Sequence, residues 1–288
     1  MNPFQQLRLN TQAGHAITAR LFSPANPVRN AICIIAPATG VAQYHYEDFA
    51  HWLSEQGYHV LTFDYEGMGL SVNGHVKHST SDIVSWADQD CPAVLHYVRQ
   101  HFADTACIWI GHSVGGHLLG MMPDTSPITR AITIAAGVGT WWYNAAPTKR
   151  IVWFLWYFLV PVTVPLLGYF PGNKLGLLCD MPKGVILQWR RWCLQEDYSV
   201  GYEGRWLADR YAAVRLPITA IEFSDDEMMS SKSLDKLHSF FTGAPVTRIV
   251  ATPEHAGTRR IGHIGWSKKS FRTLWEKIIG PHIGAKDA

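Results

Sequence analysis

Ten residues, Cys107-Ile108-Trp109-Ile110-Gly111-His112-Ser113-Val114-Gly115-Gly116, constrain this chain more than any other stretch. An apolar run of strand-forming residues reaches Gly111, the chain turns through Ser113, and Gly116 to Met122 reads as helix. Gly111-His112-Ser113-Val114-Gly115 fits the pattern G-x-S-x-G. A serine on a sharp strand-to-helix turn sits in strained backbone, so the residues two positions to either side must lack bulk. That turn leaves a hydroxyl at the end of a sheet, with the Val114 N–H and the helix N-terminus facing any oxyanion that forms there. The pentapeptide alone is a common string. The strand before it and the helix after it make it informative.

The rest of the chain repeats the same alternation. Gln5–Asn10 and His15–Phe22 alternate polar with apolar and read as an antiparallel hairpin. Asn30 to Ala36 is nearly all apolar, as a strand buried on both faces would be. A helical pattern runs through Tyr46, Phe49, Trp52 and Leu53, Tyr58 to Phe63 forms the next strand, and Ser81 to His101 reads as a long helix disturbed by Pro92. After the Ser113 turn comes a strand at Ile128 to Ala136, and later strands at Ile218–Phe223 and Val246–Ala251. Strand and helix in alternation predict an α/β fold with a mostly parallel central sheet flanked by helices. From about Thr140 the alternation stops and tryptophans become dense. The expected organisation is therefore a core of 1–139 and 216–288 with a helical, Trp-rich cap insertion at 140–215.

Composition removes several classes of function. The net charge of +2 is carried by scattered Lys and Arg, with doublets only at sites such as Arg190-Arg191 and Lys268-Lys269, so no nucleic-acid partner is expected. Five widely spaced cysteines, with Cys33 and Cys107 inside apolar runs, point to reduced, buried thiols rather than disulfides or a metal cluster. Met1 to Arg20 lacks the apolar core of a secretory signal, and the expected location is cytoplasmic. One segment resists that reading. Ile151 to Phe170 carries no charge and is long enough to span a bilayer. Its two prolines favour two short kinked helices, or a helix and a loop, buried in the cap. Peripheral membrane contact through 151–170 is a second use open to it, which would make the protein membrane-associated.

A serine hydroxyl becomes a useful nucleophile only when a histidine takes its proton and a carboxylate holds that histidine. In sheets of this type the acid and then the histidine follow the nucleophile, each on a loop after a later strand. Asp225 and Asp226 directly follow the Ile218–Phe223 strand, and His263 lies between the last strand and the last helix. His112 is expected to point away from the site and pack. His45, His51, His75, His78 and His255 have no paired spacing suited to a metal, and a serine acyl-enzyme route implies no metal or organic cofactor.

These residues resemble the α/β-hydrolase fold, and within it the serine aminopeptidase and monoglyceride-lipase-like branch that includes predicted bacterial hydrolases. Ala38-Thr39-Gly40, with Tyr46 further on, is similar to the branch's oxyanion loop, although Pro37 and Ala38 stand where histidine and glycine are usual. The resemblance implies the Thr39 N–H as an oxyanion donor beside Val114. Asp64 to Ser71 is similar to the branch's Asp-x-Arg-Gly-x-Gly-x-Ser loop, with Glu66 in place of arginine and expected to anchor the loop. Asp226-Glu227-Met228-Met229-Ser230 resembles its Asp-x-apolar-apolar-Pro, with serine for proline, which favours Asp226 over Asp225 as the acid.

The expected catalytic set is thus Ser113, Asp226 and His263, with the Thr39 and Val114 amides as the oxyanion hole. The expected chemistry is cleavage of a small-molecule or lipid-like carboxylic ester with a small to medium apolar acyl group, through an acyl-enzyme. An aminopeptidase would need a carboxylate for the substrate amine, with Glu196, Asp197 and Glu203 as candidates. An acyltransferase would use the same triad with a different acceptor. A non-catalytic ligand-binding protein on this fold would need no triad at all.

Overall fold

The computed structural model describes residues 4–284. Ten strands are present among the described residues: β1 (Gln5–Asn10), β2 (Ala16–Phe22), β3 (Ala31–Ala36), β4 (His59–Phe63), β5 (Ala106–His112), β6 (Ile128–Ile134), β7 (Tyr169–Phe170), β8 (Met181–Pro182), β9 (Ile218–Phe223) and β10 (Val246–Ala251). Eight of them form one sheet in the order β1-β2-β4-β3-β5-β6-β9-β10, while β7 and β8 pair separately. β1 with β2 and β2 with β4 are antiparallel, and every other pairing in the large sheet is parallel. This is the expected α/β-hydrolase fold.

Both faces of the sheet are buried, and the period of two sorts the side chains between them. Ile32, Ile34, Cys107 and Trp109 join the core on one face, and Cys33, Ile35, Ile108 and Ile110 join the core on the other. β5 lies between β3 and β6, so the turn that follows it emerges at the middle of the sheet.

The helical reading of 81–101 needs one revision. The segment is helical at Ile83–Ser85 and Cys91–His101, with a π turn at Trp86–Asp90 between them. Pro92 follows that π turn, inside one continuous helical run.

The segment between β6 and β9 carries the helices Thr148–Phe154, Val160–Leu167, Lys183–Cys193, Tyr198–Glu203 and Arg205–Ala213. It is stitched to the sheet-bearing part at several points. Gln188 Oε1 accepts the N–H groups of Ile83 and Val84 at 2.7 and 3.1 Å. Arg210 bonds both the Met121 carbonyl and Asp88. Tyr211 packs so closely on Gly120 that a Cβ there would lie 2.1 Å from its ring. Arg205–Ala213 therefore rests on Val114–Met121, the helix that follows Ser113.

Thr148 to Leu167 departs from expectation. It is one helical run, with a π turn at Leu155–Leu159 rather than a break at proline. Pro161 and Pro165 both lie on its exposed side, so the bonds they remove are on the solvent side of the helix. Nor is the segment buried, since only 22% of its apolar window is covered by protein.

His117, on the helix after Ser113, is buried and bonded at Nε2 to the Gly137 carbonyl at 2.8 Å. Burial drives its pKa from 6.5 to about 4, against the opposing pull of that bond. The unfolded chain therefore takes up this proton first as the pH falls. Stability from keeping His117 neutral is complete above pH 6.5 and is lost toward pH 4, a change of about 3 kcal/mol. Urea melts at pH 7 and pH 4.5 should show this loss, and His117→Gln, which keeps a donor for Gly137, should reduce it. An unchanged acid sensitivity in the variant would assign the effect elsewhere.

Candidate active site

Ser113 links β5 to the helix Val114–Met121 with φ 52° and ψ −114°. A left-handed φ on a non-glycine residue costs on the order of 1–3 kcal/mol and persists only where the surroundings enforce it. Here they do. The Ser113 N–H donates to the Ile134 carbonyl of β6 at 3.0 Å, and the Trp109 indole N–H donates to the Gly115 carbonyl at 2.9 Å. The flanking glycines follow from contact distances. A Cβ on Gly111 would lie 2.4 Å from the Gly115 carbonyl, and one on Gly115 would lie 2.2 Å from the Ala36 oxygen.

The loops after β9 and β10 bring the other two predicted residues together. His263 Nδ1 lies 2.8 Å from Asp226 Oδ2, and both side chains are almost fully buried. A carboxylate only accepts, so Nδ1 carries the proton and Nε2 is left as the basic nitrogen. Asp226 Oδ1 accepts the Met228 and Met229 amides at 2.7 and 2.8 Å, which fixes the orientation of the carboxylate. Ser113 stands half-buried, and among the described residues its hydroxyl makes no hydrogen bond to His263. Such contacts are often long without substrate and tighten when it binds.

The carboxylates on either side of Asp226 hold the histidine loop. Asp225 accepts the Ile261 N–H at 2.8 Å and the Gly262 N–H at 3.4 Å. Glu227 accepts the His263 N–H at 3.0 Å and pairs with Arg260 at 3.1 Å. Ser230, where proline is usual, caps the helix Ser231–His238 and donates its hydroxyl to the Tyr143 carbonyl.

His112 does not simply pack. Its Nε2 lies 3.0 Å from the His263 carbonyl, which can only accept, so Nε2 is protonated and Nδ1 is the acceptor for the Tyr46 hydroxyl at 2.7 Å. The same hydroxyl accepts the Ala38 N–H at 3.0 Å. Burial and the neighbouring His263 hold His112 well below the ordinary histidine range, despite its bond to the His263 carbonyl, so it stays neutral. This chain joins the backbone of His263 to the loop at Ala38–Thr39. A histidine beside the serine and a tyrosine after the loop were the available signals, but their contact depends on three strands converging.

With the Ala38 N–H engaged by Tyr46, the Thr39 N–H has no acceptor among the described residues. The Val114 N–H, first in its helix, has none within the helix either. Gly40, at φ +74°, approaches so near to Leu178 that a Cβ would fall 2.8 Å from that side chain, and its carbonyl accepts the Cys179 N–H at 3.0 Å. Glu66 anchors its loop by accepting the Ser79 hydroxyl at 2.7 Å.

A cavity of about 440 Å³ adjoins His263 and Asp226 through their chain neighbours Ile264, Met228 and Met229, although Ser113 does not line it. Its walls are mainly apolar, including Trp156, Phe170 and Trp189, and among the described lining residues Glu227 is the only Asp, Glu, Lys, Arg or His. The three candidate amine-binding carboxylates do not line it. Glu203 accepts from Gln188 and Trp192, Asp197 pairs with Lys236, and Glu196 accepts the Tyr143 hydroxyl.

Residues 27–179 match the family model described as serine aminopeptidase, S33. No curated protein matches the chain by sequence. Among solved structures, the esterase domain of a Rhodothermus marinus protein superposes with a TM-score of 0.58 at 15% identity, covering 97% of each chain. An esterase of Pyrococcus furiosus gives a TM-score of 0.62 at 12% identity, covering 97% of this chain and 89% of its own. A carboxyl esterase from Bacillus coagulans gives 0.61 at 14% identity, covering 96% of this chain and all (100%) of its own. These likenesses concern the fold, while the family match spans more than half of the sequence. The chain belongs to the serine aminopeptidase family of α/β hydrolases.

Proposed function

We propose that the protein is a serine hydrolase that cleaves a carboxylic ester with an apolar acyl group. The observation that carries this reading is the buried His263–Asp226 pair, with Asp226 locked by two backbone amides and the His263 carbonyl bonded by His112, the residue before the strained Ser113 turn. Ser113 attacks the carbonyl carbon as His263 Nε2 takes its proton, and the Thr39 and Val114 amides receive the oxyanion. His263 then protonates the leaving alcohol. Water, deprotonated by the same histidine, attacks the acyl-enzyme and releases the acid. Asp226 keeps the proton on Nδ1 and stabilises the imidazolium.

The cavity favours an ester over a peptide with a free amino terminus. Its one carboxylate, Glu227, is already paired with Arg260 and with the His263 amide, so an incoming ammonium would have to displace both. A phosphorylated substrate would meet no free cation among the lining residues.

A fluorophosphonate probe should label the protein at Ser113, and Ser113→Ala should abolish labelling and lower ester turnover by about 10⁵–10⁶. p-Nitrophenyl esters of increasing chain length would size the acyl pocket, and added alcohol acceptors would reveal acyl transfer as ester product. A folded protein that is neither labelled nor active on any of these esters would sink the reading in favour of a ligand-binding role.

A further inference from the structure

The helix from Thr148 to Leu167 shows apolar side chains on every side, yet lies at the surface. Its inner edge is Val152, Trp156, Val160 and Val164, each four residues from the last and all buried. In a plain α-helix that spacing drifts by about 40° per step. The π turn at Leu155–Leu159 unwinds the helix locally and keeps the stripe on one side. Trp156 packs edge-on against Trp189, with ring centroids 5.1 Å apart. The opposite face points outward and is also apolar. Ile151, Phe154, Phe158, Val162 and Leu166 are 66, 52, 52, 56 and 78% exposed, and Trp153 and Tyr157 flank them. A helix on a water-facing surface ordinarily carries polar residues there, and a contiguous apolar face marks an interaction site.

The exposed charges along this segment are cationic, and the first acid beyond it, Asp180, is partly buried and accepts the Asn173 N–H at 3.0 Å. From Thr148 to Cys179 the chain has Lys149, Arg150 and Lys174, all exposed, and no Asp or Glu. A second copy of the chain would bring the same cations and no acids from this segment, whereas anionic lipid headgroups complement them. The face is also continuous with the cavity. Ile151, Phe154 and Leu177 are exposed on the outside and line the cavity within. The inner stripe stays on protein, so the helix is placed to lie along a bilayer surface instead of crossing it.

We propose that this face docks on a bilayer containing anionic lipid, and that the cavity takes a lipid-like ester directly from it. The docking stands on the surface alone, and the choice of substrate rests on the hydrolase reading above. Full-length Ser113→Ala protein, which leaves vesicle lipids intact, should co-sediment with phosphatidylcholine vesicles containing phosphatidylglycerol and much less with phosphatidylcholine alone. Adding Phe158→Glu and Leu166→Glu, which are exposed and outside the cavity wall, should lower partitioning at least about tenfold. In the otherwise wild-type protein this pair should leave hydrolysis of water-soluble p-nitrophenyl butyrate within about twofold, while turnover of a long-chain ester held in vesicles falls about tenfold. Retained butyrate hydrolysis also shows that the variant is folded.

Absence of vesicle binding, equal binding by the double variant, or retention in the membrane through alkaline carbonate would each overturn docking by this face. So would self-association without vesicles that the same pair abolishes, since a second copy would then occupy it. Vesicle binding by a protein that hydrolyses no ester would uphold docking and fault the hydrolase reading instead.

Discussion

Asp226→Asn is expected to lower kcat by about 10⁴ with little change in KM, because it installs the wrong histidine tautomer. Asp226 Oδ1 accepts two backbone amides, from Met228 and Met229. An asparagine must keep its carbonyl oxygen there, since an NH₂ group would face two N–H donors. Its amide nitrogen is then forced toward His263 Nδ1 and donates to it, where Asp226 now accepts. The imidazole proton moves to Nε2, and the nitrogen facing the serine can no longer act as a base. Asp225→Asn is the matching control. It keeps an oxygen for the Ile261 amide and should cost less than about tenfold. Equal losses in the two variants, measured with one p-nitrophenyl ester, would remove Asp226 from the role proposed for it.

Gly115→Ala is expected to destabilise the fold by about 3–5 kcal/mol and to abolish turnover, by overpacking a site that has no room to relax. The added Cβ would lie 2.2 Å from the Ala36 oxygen and 2.8 Å from its carbonyl carbon. Both are backbone atoms of β3, which is hydrogen-bonded between β4 and β5, so no flexible side chain can swing aside. Any relief separates the helix at Val114 from the end of β3, which leads into Thr39, and so spreads the two amides proposed to share an oxyanion. Gly74→Ala gives the scale of backbone strain alone. Gly74 has φ +74° with open space around it, and alanine there should cost about 1–2 kcal/mol with activity retained. Urea melts and ester kinetics on both variants make the comparison. A Gly115→Ala protein as stable as Gly74→Ala would show that the strand end yields more readily than its packing implies.

Much of the fold is legible in the linear order. The apolar runs of β3 and β5, the turn chemistry at Gly111–Gly115, and the fall of Asp226 and His263 after later strands are local patterns. Each is set by backbone sterics and by the periods of strand and helix, so it reads without knowledge of neighbours. The tautomer chain from His263 through His112 and Tyr46 to Ala38 was not legible, because it joins residues up to 151 positions apart. The same holds for Asp225 and Glu227, which hold the histidine loop through backbone amides that no side-chain pattern reveals.

The segment from Thr148 to Leu167 marks the division most clearly. Sequence alone determined that it carries almost no charge, contains two prolines, and is long enough to matter to a membrane. It could not determine which face is covered, because a helix that is apolar all round has no amphipathic signal to orient it. Tertiary packing decided that. The protein offers partners such as Trp189 for one stripe only, and the remaining apolar surface is left facing outward, continuous with the cavity beside His263.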